Sequence, residues 1–209
     1  NVNVQREHFI GTLITKQQEP HTVAENKRGV IDGQQRLTTF AILLKAIADT
    51  ATGEEPYRKL PEKTKELVVF EDTQGNELSR IEHSRRDRPY FDAVMHGGDL
   101  EALPNQSHRI LLCYRYFLDR LSSFTDAELD NLKNVILGKV PLISMLLSAN
   151  DDEQEIFDTI NSLGVRLTTG ELLKNYIFWD PAIQEQYGTL WEPVFEADED
   201  QIEFWNESK

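Results

Sequence analysis

Residues 30–48 constrain the fold most, because they join the end of a strand, a polar turn and a long amphipathic helix. Val30 and Ile31 end a short apolar strand, and Asp32 and Gly33 make the turn. The apolar positions that follow recur with the 3.6-residue period of a helix with one buried face: Leu37, Phe40, Ala41, Leu44, Ile47 and Ala48. The sequence therefore predicts a strand–turn–helix unit with a largely buried helix.

The same turn collects polar side chains where the helix begins, and a helix start offers unpaired N–H groups and a partial positive charge. These side chains are Asp32, Gln34, Gln35, Arg36, Thr38 and Thr39. Gly33 would let a ligand approach the backbone, and the Arg36 guanidinium suits phosphate oxygens. The alternative is a capping box, in which Asp32 accepts from first-turn N–H groups and Gln35 reaches back. Both interpretations use the same N–H groups, so Asp32 cannot serve both fully.

The composition is that of a globular chain. With 209 residues, of which 39% are hydrophobic, we expect one domain, or one domain with a helical annex. No apolar run approaches the ~20 residues that span a bilayer, so we expect a cytoplasmic protein without a membrane partner. The single cysteine, Cys113, excludes an internal disulfide and any multi-thiolate zinc site.

The charge balance argues against general nucleic-acid binding. The formal net charge is -14, and duplex DNA is itself a polyanion. Residues 80–88 are locally basic, however, and they make Arg85, Arg86 and Arg88 candidate DNA-binding residues. The alternative is an ordinary solvated hairpin end with surface arginines.

Four further segments read as strands. Residues 8–15 are β-branched and aromatic, with Gly11 at a bulge or at a close approach of another group. Residues 66–71 and 77–83 flank a turn and predict a hairpin. Residues 140–148 form a continuous apolar run, which is typical of a buried strand.

Two separated motifs carry a family resemblance. The first is IDGQQRLTTF at residues 31–40. The second contains Asp152, Glu153, Ile156, Phe157, Ile160, Asn161, Gly164, Leu167, Glu171, Leu172 and Lys174. Together they resemble the N-terminal domain shared by GmrSD-type modification-dependent restriction systems and SspE-like defence proteins.

The resemblance implies an α+β fold with a small ParB/sulfiredoxin-like mixed β core that carries the DGQQR strand–turn–helix. We expect this core to span residues 1–85. A mainly helical subdomain would follow over residues 86–209, packed on the core and returning one strand at 140–148. Within it, Thr125 and Glu128 form a capping box that predicts the start of a helix.

For function, the resemblance implies that the chain binds and hydrolyses a nucleoside triphosphate (GTP, CTP or UTP) as the sensor of a DNA-modification-dependent defence system. Asp32 and Arg36 would be the catalytic residues, with Asp32 orienting water or a metal-bound phosphate. Gly33, Gln34, Gln35, Thr38 and Thr39 would line the phosphate site. Asp32 is also the candidate ligand for Mg²⁺.

The second motif would supply the other wall of the anion pocket, through Asn161, Arg166 and Lys174. The alternative is that Asn161 helps to end a helix and that Lys174 is a surface lysine paired with Glu171. The sequence has no G-x-x-x-x-G-K-[ST] motif, so a nucleotide site would not be a P-loop.

Two rival functions remain open. One is a non-catalytic reader of modified DNA that uses the 32–36 turn or the 80–88 segment. The other is a structural regulator that docks a nuclease domain, with the polar motif serving only to cap helices. We expect no nuclease activity in this segment, because it contains no complete HNH-type motif. The partner would be an HNH-type nuclease domain, either C-terminal or separate.

Overall fold

The structure, a computed structural model, describes residues 7–17, 27–148, 151, 173–174, 177–178, 183, 186–197 and 201. The chain divides into two compact units, Asn1–Ala149 and Asn150–Lys209. Both helices and strands are present, and the predicted α+β class is confirmed. The strands are β1 (Thr12–Gln17), β2 (Arg28–Asp32), β3 (Val69–Glu71), β4 (Glu77–Ser79) and β5 (Ile143–Leu147).

The described helices of the first unit are α1 (Gln34–Thr50), α2 (Leu60–Lys65), α3 (Arg88–His96), α4 (Arg109–Leu121) and α5 (Asp126–Lys139). The second unit contains a π-helical turn, Tyr187–Trp191, and the short helix α6 (Glu192–Phe195). Thr125 caps α5 in the predicted capping box, with Glu128 reaching back to the Thr125 N–H at 2.9 Å.

A small mixed sheet supports the turn before α1. Its strand order is β2-β1-β5, with β1 antiparallel to β2 and parallel to β5. The hydrogen bonds His8 N–H to Lys139 O and Ile10 N–H to Pro141 O continue the β1–β5 pairing before β1 begins. Strands β3 and β4 form a separate antiparallel hairpin, as predicted.

The core of the first unit is built around α1. Its predicted apolar stripe is confirmed: Ala41, Leu44, Ile47 and Ala48 are buried. Side chains of α2, α3, α4 and α5 join α1 in one hydrophobic cluster, in which Phe91, Met95, Leu111 and Leu129 are fully buried. Because these helices share a core with α1, the first compact unit extends to residue 149, beyond the boundary at residue 85 expected from sequence.

Strand β5 differs from its prediction. The returning strand is present, but the expected burial of 140–148 is wrong for most of it. Ile143, Met145 and Leu146 are 55%, 45% and 54% exposed, and only Leu147 is buried. Neighbouring side chains of a strand point to opposite faces, so this exposure affects both faces of β5. Strand β5 lies at the end of the described three-strand order, with β1 as its neighbour, and an apolar strand is buried only where other elements pack over its faces.

A partly buried polar network links α1 to α4. The ammonium of Lys45 contacts both carboxylate oxygens of Asp49, at 2.5 and 2.6 Å, and the Lys45 side chain is only 7% exposed. The Tyr114 hydroxyl donates to the same carboxylate at 2.6 Å. Burial raises the pKa of Tyr114 well above its ordinary value, and the adjacent Asp49 carboxylate raises it further.

This network predicts a loss of stability in alkali. In the unfolded chain Tyr114 ionises near pH ~10, whereas in the fold its raised pKa keeps it protonated. The contribution of Tyr114 to the free energy of unfolding is therefore complete below ~pH 10. Above that pH it is lost by up to about 1.4 kcal/mol per pH unit. Urea unfolding of the wild type and Tyr114→Phe at increasing pH should show the steeper fall in the wild type. Parallel curves would contradict the prediction.

Candidate functional site

The turn between β2 and α1 depends on a glycine. Gly33 is the N-cap residue of α1, with φ of 100° in the left-handed region that favours glycine. A Cβ built on it would lie 3.0 Å from Leu13 Cδ1 and 3.3 Å from the Thr12 carbonyl oxygen. Gly33 is buried, and β1 fills the space beside it. A ligand therefore cannot approach the Gly33 backbone from the side of β1, which corrects the approach expected from sequence.

The predicted capping box at Asp32 is wrong. Asp32 precedes the N-cap residue Gly33, and no side chain of the described residues is seen to cap the first turn of α1. The carboxylate of Asp32 lies instead 2.6 Å from Nη2 of Arg36, one helical turn along. The N–H groups that open α1 therefore keep their partial positive charge without a side-chain acceptor.

Arg36 is held from two sides. Besides its contact with Asp32, its Nη1 donates to the Ile10 carbonyl oxygen at 3.3 Å. The guanidinium lies so close to Gly11 that a Cβ there would be 2.3 Å from Nη1. The predicted close approach at Gly11 is thus confirmed, and Arg36 is the group that approaches. About a third of each charged side chain is exposed, 37% for Arg36 and 35% for Asp32.

This pairing bears on the expectation that the Arg36 guanidinium holds phosphate oxygens. A carboxylate already balances its charge, so an incoming anion must replace Asp32 on the guanidinium. The pair does offer a prearranged geometry: the arginine fork is oriented beside the uncapped helix start.

The other polar residues of the motif face different partners. Nε2 of Gln34 donates to the carbonyl oxygens of Val30, at 2.9 Å, and Ile31, at 3.3 Å, which ties α1 back to β2. The hydroxyls of Thr38 and Thr39 donate to the carbonyls four residues earlier, at 2.8 and 2.7 Å. Gln35 is exposed beside them. The side chains of Gln34, Thr38 and Thr39 therefore bond to the backbone at or just before the start of α1.

His83, which the sequence analysis did not single out, joins the basic segment 80–88 to α1. Its Nε2 lies 3.3 Å from the Thr38 hydroxyl, and its ring packs on Phe91 with centroids 4.2 Å apart. Burial lowers the pKa of His83, against the opposing charges of Asp87 and Asp92. No local spacing could have revealed this contact, because 45 residues separate its partners.

The three candidate DNA-binding arginines lie in this segment, and all of them are exposed. Arg88 begins α3 and lies 3.9 Å from Glu82, which also pairs with Lys27 at 2.9 Å. Arg85 and Arg86 precede the helix. The segment is therefore anchored at His83 and Glu82, and its three candidate arginines are exposed.

The second motif is described only in part. Asn161 and Arg166 lie outside the described residues, as does Glu171. Nζ of Lys174 lies 3.2 Å from Glu196, within the second unit. The same carboxylate accepts from the Tyr187 hydroxyl at 2.6 Å and from Trp191 Nε1 at 3.3 Å. Lys174 therefore has a carboxylate partner in Glu196, while the pairing with Glu171 lies outside the described residues.

A magnesium ion would find one protein carboxylate at the turn, that of Asp32. Among the residues that the structure describes, no group of three or more histidine, cysteine, aspartate or glutamate side chains is arranged to hold a metal. Mg²⁺ commonly takes one or two carboxylates together with substrate phosphates. Asp32 therefore fits only as a single ligand of a phosphate-bound ion. Across the same described part of the chain, no helix is long and apolar enough to cross a membrane.

The fold and the turn define an α+β module in which an aspartate–arginine pair lies at an uncapped helix start. The family described as GmrSD restriction endonuclease, N-terminal domain, matches residues 2–178. The chain belongs to this family, which confirms the resemblance carried by its two motifs. It is thus a component of a restriction and defence system, and in this family a nuclease domain is fused or associated. No curated protein matches the chain.

The geometry of Asp32 predicts a small effect on stability. Asp32→Ala removes a partly exposed pair, and such pairs at i, i+4 contribute about 0.3–0.5 kcal/mol. Thr125→Ala removes a real cap, and we expect it to cost about 1 kcal/mol. Urea unfolding of the two variants tests the difference. An equal loss in both would mean that Asp32 caps α1 in solution.

Gly11 provides a second test of the site. Gly11→Ala places a Cβ against the Arg36 guanidinium and strains a backbone with φ of 109°. Gly75→Ala is the matched control, because Gly75 has φ of 82° and nothing within 4 Å of its Cβ position. Both should lose about 1–3 kcal/mol from strain. Gly11→Ala should cost more than Gly75→Ala, because only its Cβ meets another side chain, and urea unfolding measures both; equal losses would contradict the Gly11–Arg36 contact.

Proposed function

We propose that this chain is the nucleoside-triphosphate-binding sensor module of a DNA-modification-dependent restriction system, working in the cytoplasm where the target DNA lies. The observation that carries the proposal is the Arg36 guanidinium, oriented by Asp32 and Ile10 beside an uncapped helix start. A phosphate oxygen and a carboxylate oxygen make the same kind of contact with arginine. A terminal phosphate can therefore take the place of Asp32.

Exchange of these anions would produce two useful changes. The phosphate would gain the guanidinium and the first-turn N–H groups, which together favour a concentrated negative charge. Asp32 would be released from Arg36, and its carboxylate would then orient a water molecule or a metal-bound phosphate for hydrolysis. Gln35, exposed at the same turn, would contact the ligand directly.

The net charge of the chain is our reason for preferring a nucleotide to a duplex as the proposed ligand. The chain has a net charge of -14, which opposes an extended polyanion along its surface. A triphosphate needs only a local set of donors. Asn161, Arg166 and Lys174 remain proposed contributors from the second motif, and the ParB/sulfiredoxin-like description of the core remains part of this proposal, supported by the mixed β2-β1-β5 sheet.

The second candidate function is reading modified DNA. It is favoured by the exposure of Arg85, Arg86 and Arg88 in a segment that the His83–Thr38 contact anchors to α1. In this case the arginines would contact backbone phosphates. The nucleotide site and the arginine segment use different arginines, so each can be tested with its own variants. In both cases we propose an HNH-type nuclease domain, fused or separate, as the effector.

Calorimetric titration with GTP, CTP, UTP and ATP, with and without Mg²⁺, tests the proposal. Parallel titrations use one duplex in modified and unmodified forms. Nucleotide binding that Arg36→Ala removes, while the fold is retained, supports the sensor. Binding of modified duplex that only Arg85→Ala and Arg86→Ala weaken supports the reader. Binding of neither ligand would overturn both and leave a structural regulator of the nuclease.

A further inference from the structure

Outside this turn, a serine, a histidine and a glutamate form a linear hydrogen-bonded chain. Nε2 of His96 lies 3.0 Å from the Ser79 hydroxyl, and Nδ1 of the same ring lies 3.0 Å from Oε1 of Glu77. One ring nitrogen therefore contacts the serine hydroxyl, and the other contacts the glutamate carboxylate. This is the order in which a serine, its general base and an orienting carboxylate are arranged in acyl-transfer sites.

The fold holds these three side chains on regular elements. Glu77 and Ser79 are two residues apart on β4, so their side chains share one face of the hairpin. His96 is the last residue of α3, and the preceding residues Val94 and Met95 are buried in the core.

The charge of Glu77 decides which atoms of these three side chains carry protons. Hydrogen bonds from Lys65, and then from His96, hold the pKa of Glu77 below its ordinary value. An ionised carboxylate can only accept, so Nδ1 of His96 must carry the proton that it donates. In the neutral ring Nε2 is then the acceptor, and Ser79 is the donor. The hydroxyl proton therefore points at a base.

We propose that Ser79 is a nucleophile, with His96 as its general base and Glu77 as the residue that positions the imidazole, and that it reacts with acyl esters. In this reaction the Ser79 oxygen forms a bond to the acyl carbon while its proton passes to Nε2 of His96. The ester C–O bond breaks, and the leaving alcohol takes that proton. Water then releases the acid from the serine by the same proton route.

The site is independent of the nucleotide proposal. Ser79 is partly exposed and His96 is exposed, so small electrophiles reach them from solvent. Lys65 contacts the other carboxylate oxygen of Glu77 at 2.5 Å, which fixes the acid on the side away from the imidazole contact. The four residues together form one connected network on the surface of the first unit.

A fluorophosphonate probe tests the proposal on the whole chain. Its phosphorus forms a bond to the Ser79 oxygen, the P–F bond breaks, and His96 receives the proton as fluoride leaves. We expect labelling at Ser79, located by mass spectrometry of the digested protein. Ser79→Ala should abolish it, and His96→Asn should slow it by about a hundredfold or more, as expected for loss of a general base.

Two further variants separate chemistry from folding. Glu77→Gln should slow labelling, because an amide holds the imidazole less firmly and does not stabilise its charged form. Ser122→Ala is the matched control, since its hydroxyl donates to the Asp119 carbonyl oxygen; its labelling should equal that of the wild type. Melting temperatures monitor the fold of every variant. An unlabelled wild type, a label on another residue, or an unchanged rate in folded His96→Asn would overturn the proposal.

Discussion

Arg36→Ala should lower the affinity for nucleoside triphosphate by about a hundredfold while leaving the fold nearly as stable as before. Hydrogen bonds to charged groups contribute about 1.5–3 kcal/mol each when a partner is removed, and the arginine fork can make two. The stability cost is small because the Asp32–Arg36 pair is about one third exposed, and such pairs contribute little. Calorimetric titration and urea unfolding measure the two quantities separately.

Two variants make this prediction specific. Arg36→Lys keeps the charge but loses the planar fork, so it should recover only part of the affinity. Arg28→Ala removes the same charge from an exposed position on β2, and it should change affinity by less than about twofold if contact rather than overall charge decides binding. Unchanged affinity in folded Arg36→Ala would show that phosphate binds elsewhere.

Asp49→Ala should cost about 3 kcal/mol in the free energy of unfolding, the largest single effect expected for a polar residue here. The cost arises because the Lys45 ammonium, nearly enclosed in the core, loses both of its carboxylate contacts. Asp49 itself is partly exposed, but its removal leaves the buried ammonium of Lys45 without compensation. Urea unfolding at neutral pH measures the loss.

A double variant separates the effect of the uncompensated Lys45 charge from that of the lost contacts. Adding Lys45→Met to Asp49→Ala removes the uncompensated charge, so the double variant should recover most of the lost stability. Glu101→Ala is the surface control: it removes the acid of an ion pair in which Glu101 is 81% exposed, and should cost less than about 1 kcal/mol. A double variant as unstable as Asp49→Ala would contradict the role of the buried charge.

Local sequence rules predicted the parts of the fold that depend on neighbouring residues. The apolar period of α1, the β3–β4 hairpin and the capping box at Thr125 each involve groups within a few positions of one another. Gly11 was also identified, because a glycine in a strand marks close approach. The same rules failed at Asp32. Its carboxylate had two partners within reach, the helix N–H groups and Arg36, and the sequence does not rank them.

Contacts between distant residues were beyond those rules. His83 contacts Thr38, which lies on another element. Lys45 is buried in a helix that packs against α4. The exposure of β5 is a similar case, since an apolar run indicates a strand suited to burial but does not say how many neighbours will cover it.

The sequence by itself therefore determined the α+β class, the long buried helix after a glycine turn, and the family. These follow from periodicity, turn residues and motifs that are written locally along the chain. The tertiary structure alone decided that Asp32 faces Arg36, that β1 fills the space beside Gly33, and that Ser79, His96 and Glu77 meet. Such choices depend on which groups the folded chain brings within hydrogen-bonding distance, and that distance is a property of packing rather than of spacing.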